Sequence, residues 1–180
     1  MRIVSNIKEL IATWVVGIWP LMEHKPSGKP VNIDGKVVLV FNYSTDDELR
    51  IINAFVTQAK KHININAVIA FNSTSNKSAV GSDDFIFLAN KNDFNLFGRV
   101  NKRLNKWFIN TNFDLMISFI SEGDLYCNKI VSRITSGFKL GIYNHENVKL
   151  FDITIKQETN NYNKQLELFI YYVNKLKINV

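Results

Sequence analysis

Short apolar runs alternate with longer amphipathic stretches along most of the chain, and that alternation predicts strands separated by helices. Residues 37–41 (VVLVF) form a continuous β-branched run, as expected of a central strand covered on both faces. The segment Ser44-Thr45-Asp46-Asp47-Glu48 opens a helix, with Thr45 and Glu48, or Ser44 and Asp47, at capping-box spacing. That helix runs to about Lys61 and turns Leu49, Ile52, Phe55, Val56 and Ala59 inward. A second strand follows over 67–71, a polar loop over 72–82 and a third strand over 85–88. A short helix over 101–108 precedes a fourth strand over 113–120, and a helix over 124–135 precedes a fifth over 138–143. A sixth strand over 150–155 and an amphipathic helix over 166–176 close the chain. Alternation at these lengths predicts α/β architecture. The expected form is a single Rossmann-like open sheet, mostly parallel, of five to six strands with helices on both faces.

The first 24 residues follow a different rule. Ile3, Ile7, Leu10, Ile11, Trp14 and Ile18 recur at helical spacing, with Asn6, Lys8 and Glu9 on the remaining face. The apolar run over 10–22 falls short of the about 20 residues that a membrane span needs. It ends in Pro20 and then Glu23-His24-Lys25, with no small-x-small cleavage site, so no signal peptide is read here. The organisation is therefore an N-terminal amphipathic helix (1–24), a Pro/Gly/Ser/Lys linker (25–35) and one α/β domain (36–180). Such a helix can pack on its own domain, pair with a partner, or lie on a membrane with Trp14 and Trp19 at the interface.

Composition narrows the class. With 180 residues, 46% hydrophobic and 12% aromatic, the chain can build one folded domain with a real core. The net charge of +6 suits association with nucleic acid or an anionic membrane surface, or simply a solvated basic face. Cys127 is the single cysteine, which excludes an internal disulfide and a cysteine-based zinc site and fits a reducing cytoplasmic setting. It sits in an apolar-periodic helix with Leu125, Ile130, Val131 and Ile134, as a core residue would.

Chemistry is sparse. No Gly-rich phosphate-binding motif follows the first strand. His24, His62 and His145 assemble neither a metal triad nor a Ser/His/Asp order, so no metal and no cofactor is expected. Asp114 and Asp152 sit at strands, where hydrogen bonds to backbone suit them better than paired acid–base work. Open α/β sheets bind ligands beyond the carboxyl ends of their strands. That edge offers Tyr43, Ser44, Thr45, Asn72, Ser118 and Glu122 as candidate ligand contacts, with helix capping as the plainer role for Ser44 and Thr45. Arg99, Lys102, Arg103 and Lys106 fall at i, i+3, i+4 and i+7, which predicts one basic stripe on a helix, with Leu104, Trp107 and Phe108 facing the core. Such a stripe can meet phosphates without sequence readout.

Four blocks carry a resemblance: Asp93-Phe94-Asn95-Leu96-Phe97-Gly98, Phe113-Asp114-Leu115-Met116-Ile117, Phe138-Lys139-Leu140-Gly141 and Phe151-Asp152-Ile153-Thr154-Ile155. In their order and spacing the chain resembles a family of small bacterial α/β proteins classed as a domain of unknown function, through most of 36–177. A more distant similarity is to the N-terminal half of glycosyltransferases with two Rossmann-like domains, such as heptosyltransferases. That likeness implies one half of a two-domain enzyme, without the nucleotide-sugar-binding half.

Three readings follow. The first is a non-catalytic binding module that recognises a protein or RNA partner through its basic stripe and N-terminal helix. The second is a small-molecule enzyme with its site near Tyr43, Ser44 and Ser118. The third is a peripheral protein of the inner membrane held by residues 3–22.

Overall fold

The structure, a computed structural model, describes residues 34–74, 86–95, 99–120, 125–145, 147–156 and 161–178. The expected N-terminal helix and nearly all of the linker lie outside them. Six strands form one parallel sheet: β1 (Val37–Tyr43), β2 (Ile65–Asn72), β3 (Ile86–Asn90), β4 (Asn112–Ser118), β5 (Thr135–Ile142) and β6 (Ile153–Ile155). Their order is β3-β2-β1-β4-β5-β6, the doubly wound order of Rossmann folds. Among the described residues the α-helices are α1 (Asp46–Ala59), α2 (Lys102–Asn110), α3 (Leu125–Arg133) and α4 (Tyr162–Ile178).

Strand alternation divides the core into two layers. Val37, Leu39, Phe41 and Tyr43 of β1 face α1 and α4, where they meet Ile52, Phe55, Val56, Leu166 and Phe169. Val38 and Val40 face the other way, into a cluster with Leu104 and Phe108 of α2 and Cys127, Ile130 and Val131 of α3. Both faces of the sheet are thus covered, which is why β1 is apolar throughout rather than alternating. Cys127 is a core residue, as its apolar neighbours indicate.

Local chemistry sets the element ends. Thr45 is the N-cap of α1, its Oγ1 accepting from the Glu48 amide at 3.2 Å. The Glu48 carboxylate returns one residue further than a capping box, accepting from the Ser44 amide at 2.6 Å. β5 begins earlier than its apolar run, because Thr135 and Ser136 pair with Asn112 and Phe113 through backbone alone. β6 is shorter than expected. Residues 148–150 form a 3-10 turn that leads into it.

Candidate functional site

The strand order reverses between β1 and β4, so a ligand crevice of this fold would open beyond Tyr43 and Ser118. The polar candidates on the β1–β2 side are engaged with one another. The hydroxyls of Ser44 and Ser73 share a hydrogen bond at 3.1 Å, and Thr74 Oγ1 donates to the Ser44 carbonyl at 2.9 Å. Asn72 Oδ1 accepts from the Thr74 amide at 3.0 Å, and the Ser73 amide donates to the Tyr43 carbonyl at 3.0 Å. Tyr43 is buried in the core; burial pushes its hydroxyl above the usual range, against a lowering hydrogen bond with Asn72. Ser118 is buried in the ladder opposite Val40. Glu122 lies outside the described residues.

Aromatic side chains occupy both sides of this edge. Directly after Ser118, the Phe119 amide donates to the Val40 carbonyl at 2.8 Å. Its ring stacks on Phe41 at 4.8 Å and meets Phe55, Tyr162 and Phe169 edge-on at 5.3 to 5.6 Å. On the opposite face Phe94 meets Tyr126 at 5.0 Å, with Phe71 and the buried Ile120 in the same cluster. Apolar rings thus pack on both faces of the sheet beside this edge, while Ser44, Thr45 and Thr74 at the edge itself are exposed. Burial also raises the Tyr162 hydroxyl, with the nearby Glu48 carboxylate adding to the effect.

The basic residues divide into two groups. Helix α2 starts at Lys102 behind the N-cap Asn101, whose Oδ1 accepts from the Leu104 amide at 2.9 Å. Arg99 therefore precedes the helix instead of continuing a stripe along it. It is bonded to Asn95, whose amide donates to the Arg99 carbonyl at 2.8 Å while Oδ1 accepts from the Arg99 amide at 3.0 Å. Arg99, Lys102 and Lys106 are exposed. Arg103 is exposed too, with 48% of its side chain open to solvent, but its guanidinium folds back onto the domain. Its Nη2 donates to Asp93 Oδ1 and to the Leu88 carbonyl, both at 3.2 Å, and its guanidinium lies 4.4 Å from the centroid of Phe87. Leu104 and Phe108 are buried, and Trp107 packs half-buried between Phe87 and Phe113.

Asp93 is the residue that sequence reasoning missed. Only 6% of its side chain is exposed, and it collects the Asn90 amide at 2.9 Å, Asn101 Nδ2 at 2.6 Å and Arg103. Its position two residues past Lys91, with Asn90 as N-cap, makes a capping box on a 3-10 turn. Other polar residues of the resemblance blocks also serve the backbone. Asp114 Oδ2 accepts from the Lys36 amide at 2.7 Å, and Asp152 Oδ2 from the Lys139 amide at 2.7 Å. Lys139 is buried, with Nζ donating to the Val131 carbonyl at 3.1 Å. Burial lowers its pKa to about 8 against the raising influence of Asp152. A Cβ on Gly141 would come within 2.5 Å of the Phe151 ring, so those two blocks interlock.

Among the described residues no three His, Cys, Asp or Glu side chains gather as metal ligands. No helix among them is long and apolar enough to cross a membrane. A groove of about 650 Å³ between α1 and α4, lined by Gln58, Lys61, His62, Glu167 and Tyr171, was not foreshadowed by any motif.

Comparison with known proteins places these observations in a family. The model of a family of unknown function (DUF6913) matches residues 23–176, and the chain belongs to that family. No curated protein matches. No solved structure matches either, so nothing found speaks for the glycosyltransferase likeness.

Proposed function

We propose that this DUF6913 member is a non-catalytic binding module of the cytoplasm that takes an anionic macromolecule, RNA first, on the surface formed by Arg99, Lys102 and Lys106. One observation carries the reading: Arg99, Lys102 and Lys106 are exposed cations just before and along α2, while Arg103, exposed as well, is paired with the buried carboxylate of Asp93. Lys102 and Lys106 are four residues apart on α2, so they project from one face about 6 Å apart along the axis. Contacts of this kind neutralise phosphates by charge and need no base readout. The net charge of +6 adds long-range attraction for the same partner class.

The enzyme reading is less well supported. Of a site at Tyr43, Ser44 and Ser118, Tyr43 and Ser118 are buried, and Phe119, the residue after Ser118, packs its ring into the core with Phe41 and Tyr162. A protein partner with an acidic surface would use the same cations. The reading is tested by recovering tagged protein from its host at low salt, with and without ribonuclease, and repeating at high salt. RNA or ribonuclease-sensitive partners lost at high salt are expected. Recovery of the chain alone at low salt would reject the proposal.

A further inference from the structure

The carboxyl ends of β5 and β6 meet the first turns of α4 around an open space of about 290 Å³, at the small end of the range for ligand pockets. Ile142 and Ile155 are the last residues of the two strands and pair across the ladder. α4 lies over the same face of the sheet, with Leu166 and Phe169 packed into the core layer of β1. β6 is the edge strand and only three residues long, so the sheet supplies little cover on that side.

The lining has two chemical halves. Ile142, Ile155 and Phe169 are buried and Leu168 is half-buried, and together they make an apolar floor. Lys156, directly after β6, and Lys164, in the first turn of α4, are exposed and bring two positive charges to the same space. Lys164 and Leu168 are four residues apart, so charge and hydrocarbon lie on one flank of the helix. Gln165, 6% exposed, adds a buried amide. Among the described residues that line the space there is no carboxylate. The larger groove between α1 and α4 differs in this respect, because Glu167 lines it together with Lys61 and His62.

These features select for negative charge and for an apolar body together. An anion near a helix start can draw on the free amides there, but in α4 Asn161 Oδ1 already accepts from the Asn163 and Lys164 amides at 3.0 and 3.3 Å. Attraction for a negative head therefore rests on the two lysines, whose ammonium groups are compact charges on flexible stems. Hydrocarbon laid on the floor gains burial free energy that a bare inorganic ion does not. The volume suits a small molecule rather than a two-tailed lipid or a polymer segment.

We propose that this space is a binding site for a small amphipathic anion, a carboxylate or phosphate head on a short hydrocarbon body. The head lies at Lys156 and Lys164, and the body lies on Ile142, Ile155, Leu168 and Phe169. The site is at the carboxyl edge of the sheet, where α/β sheets present ligands, but at the last two strands instead of the switch point between β1 and β4. It uses none of Arg99, Lys102 and Lys106, so it stands independently of the RNA reading.

The test is methyl NMR on the full chain, titrated with octanoate and with octyl phosphate below their micelle-forming concentrations. The methyl signals of Ile155 and Leu168 should move saturably, and those of Leu104, buried on the other face of the sheet, should stay in place. The tighter of the two probes identifies the head. Octanol and inorganic phosphate, which carry the tail or the head alone, should each bind more weakly. Each methylene removed from the carboxylate should cost about fourfold in affinity. Lys156→Gln with Lys164→Gln removes both charges from exposed positions, where the fold tolerates the change. That variant should bind both probes roughly threefold to tenfold more weakly. Absence of saturable shifts at Ile155 and Leu168 with both probes overturns the proposal. So does equal affinity for octanol or for inorganic phosphate, or full affinity in the double variant.

Discussion

Phe119 lies flat against Phe41, ring centroids 4.8 Å apart and planes within 2° of parallel, at the point where the strand order reverses. β1 ends and β4 ends side by side there, and in a ligand-binding Rossmann fold the two diverging loops would leave a crevice. Here the first residue past β4 turns its ring onto the core layer of α1 and α4, and Phe55, Tyr162 and Phe169 close round it. The doubly wound order is present. Beside its switch point Phe119 is a core residue.

Truncating this ring should therefore cost stability and leave partner binding intact. Phe119→Ala removes a ring that is 4% exposed, which costs about 3–5 kcal/mol in transfer and cavity terms. Urea unfolding followed by tryptophan fluorescence measures the loss. RNA affinity at a concentration of protein where both forms are folded should be unchanged.

Arg103 and Lys102 are adjacent in sequence and should behave oppositely. Arg103→Met leaves Asp93 with the Asn90 amide and Asn101 but without its cation, at a cost of about 1–3 kcal/mol. The half-exposed position of the guanidinium keeps the figure in that range rather than that of a fully buried pair. Lys102→Met removes an exposed cation and should change stability by less than about 0.5 kcal/mol. Chemical denaturation of the two variants side by side separates the roles.

Gly141→Ala should destabilise by about 1–3 kcal/mol, because its Cβ would press on the Phe151 ring at 2.5 Å. The partner substitution Phe151→Leu, which shortens that side chain, should recover part of the loss. A double-mutant cycle that found the two changes additive would separate the positions.

Lys139 gives the fold a pH signature. Its pKa is depressed to about 8 in the folded protein, below the ordinary lysine value of 10.5. Between those values the unfolded chain binds more protons than the folded one, so stability rises with pH across that window. The size is about 3 kcal/mol for a shift of this order. Tyr43, buried, and Tyr162, half-buried, have pKa values raised above 10.0 and act in the opposite direction once pH passes the unfolded tyrosine value, so the rise is cleanest from about pH 8 to 10. Lys129, lowered by burial and by Arg133, contributes in the same direction as Lys139. Unfolding midpoints of the unaltered chain and Lys139→Met over that range should converge as pH rises, with Lys139→Met the flatter of the two.

Periodicity exposed the frame of the fold but not the destinations of its polar side chains. The run 37–41 could be read as a strand covered on both faces, and Thr45 with Glu48 as a helix start, because those signals are local. Lys139 was not legible. Alternation puts it on the face opposite Phe138 and Leu140, which in a one-sided sheet is the solvent face; here α3 covers that face too. Arg103 had the spacing of a stripe residue, and helical period alone cannot say that a carboxylate ten residues upstream waits beneath it. Of the strand-end candidates, Thr45 is a helix cap, Ser44 and Asn72 join a hydrogen-bonded cluster and Ser118 is buried. The burial of Tyr126 through Ser132 in α3 has no counterpart in its own pattern, since Asn128, Lys129 and Ser132 are polar.

The measurement that bears most directly on the proposed function is the salt dependence of binding to a labelled single-stranded RNA. Three phosphates met by Arg99, Lys102 and Lys106 correspond to a slope of about −2 in log affinity against log salt. The account predicts that slope, its loss in Lys102→Glu with Lys106→Glu, and its retention in Arg103→Met. Binding that is absent at low salt, or that survives the double charge reversal, would contradict it.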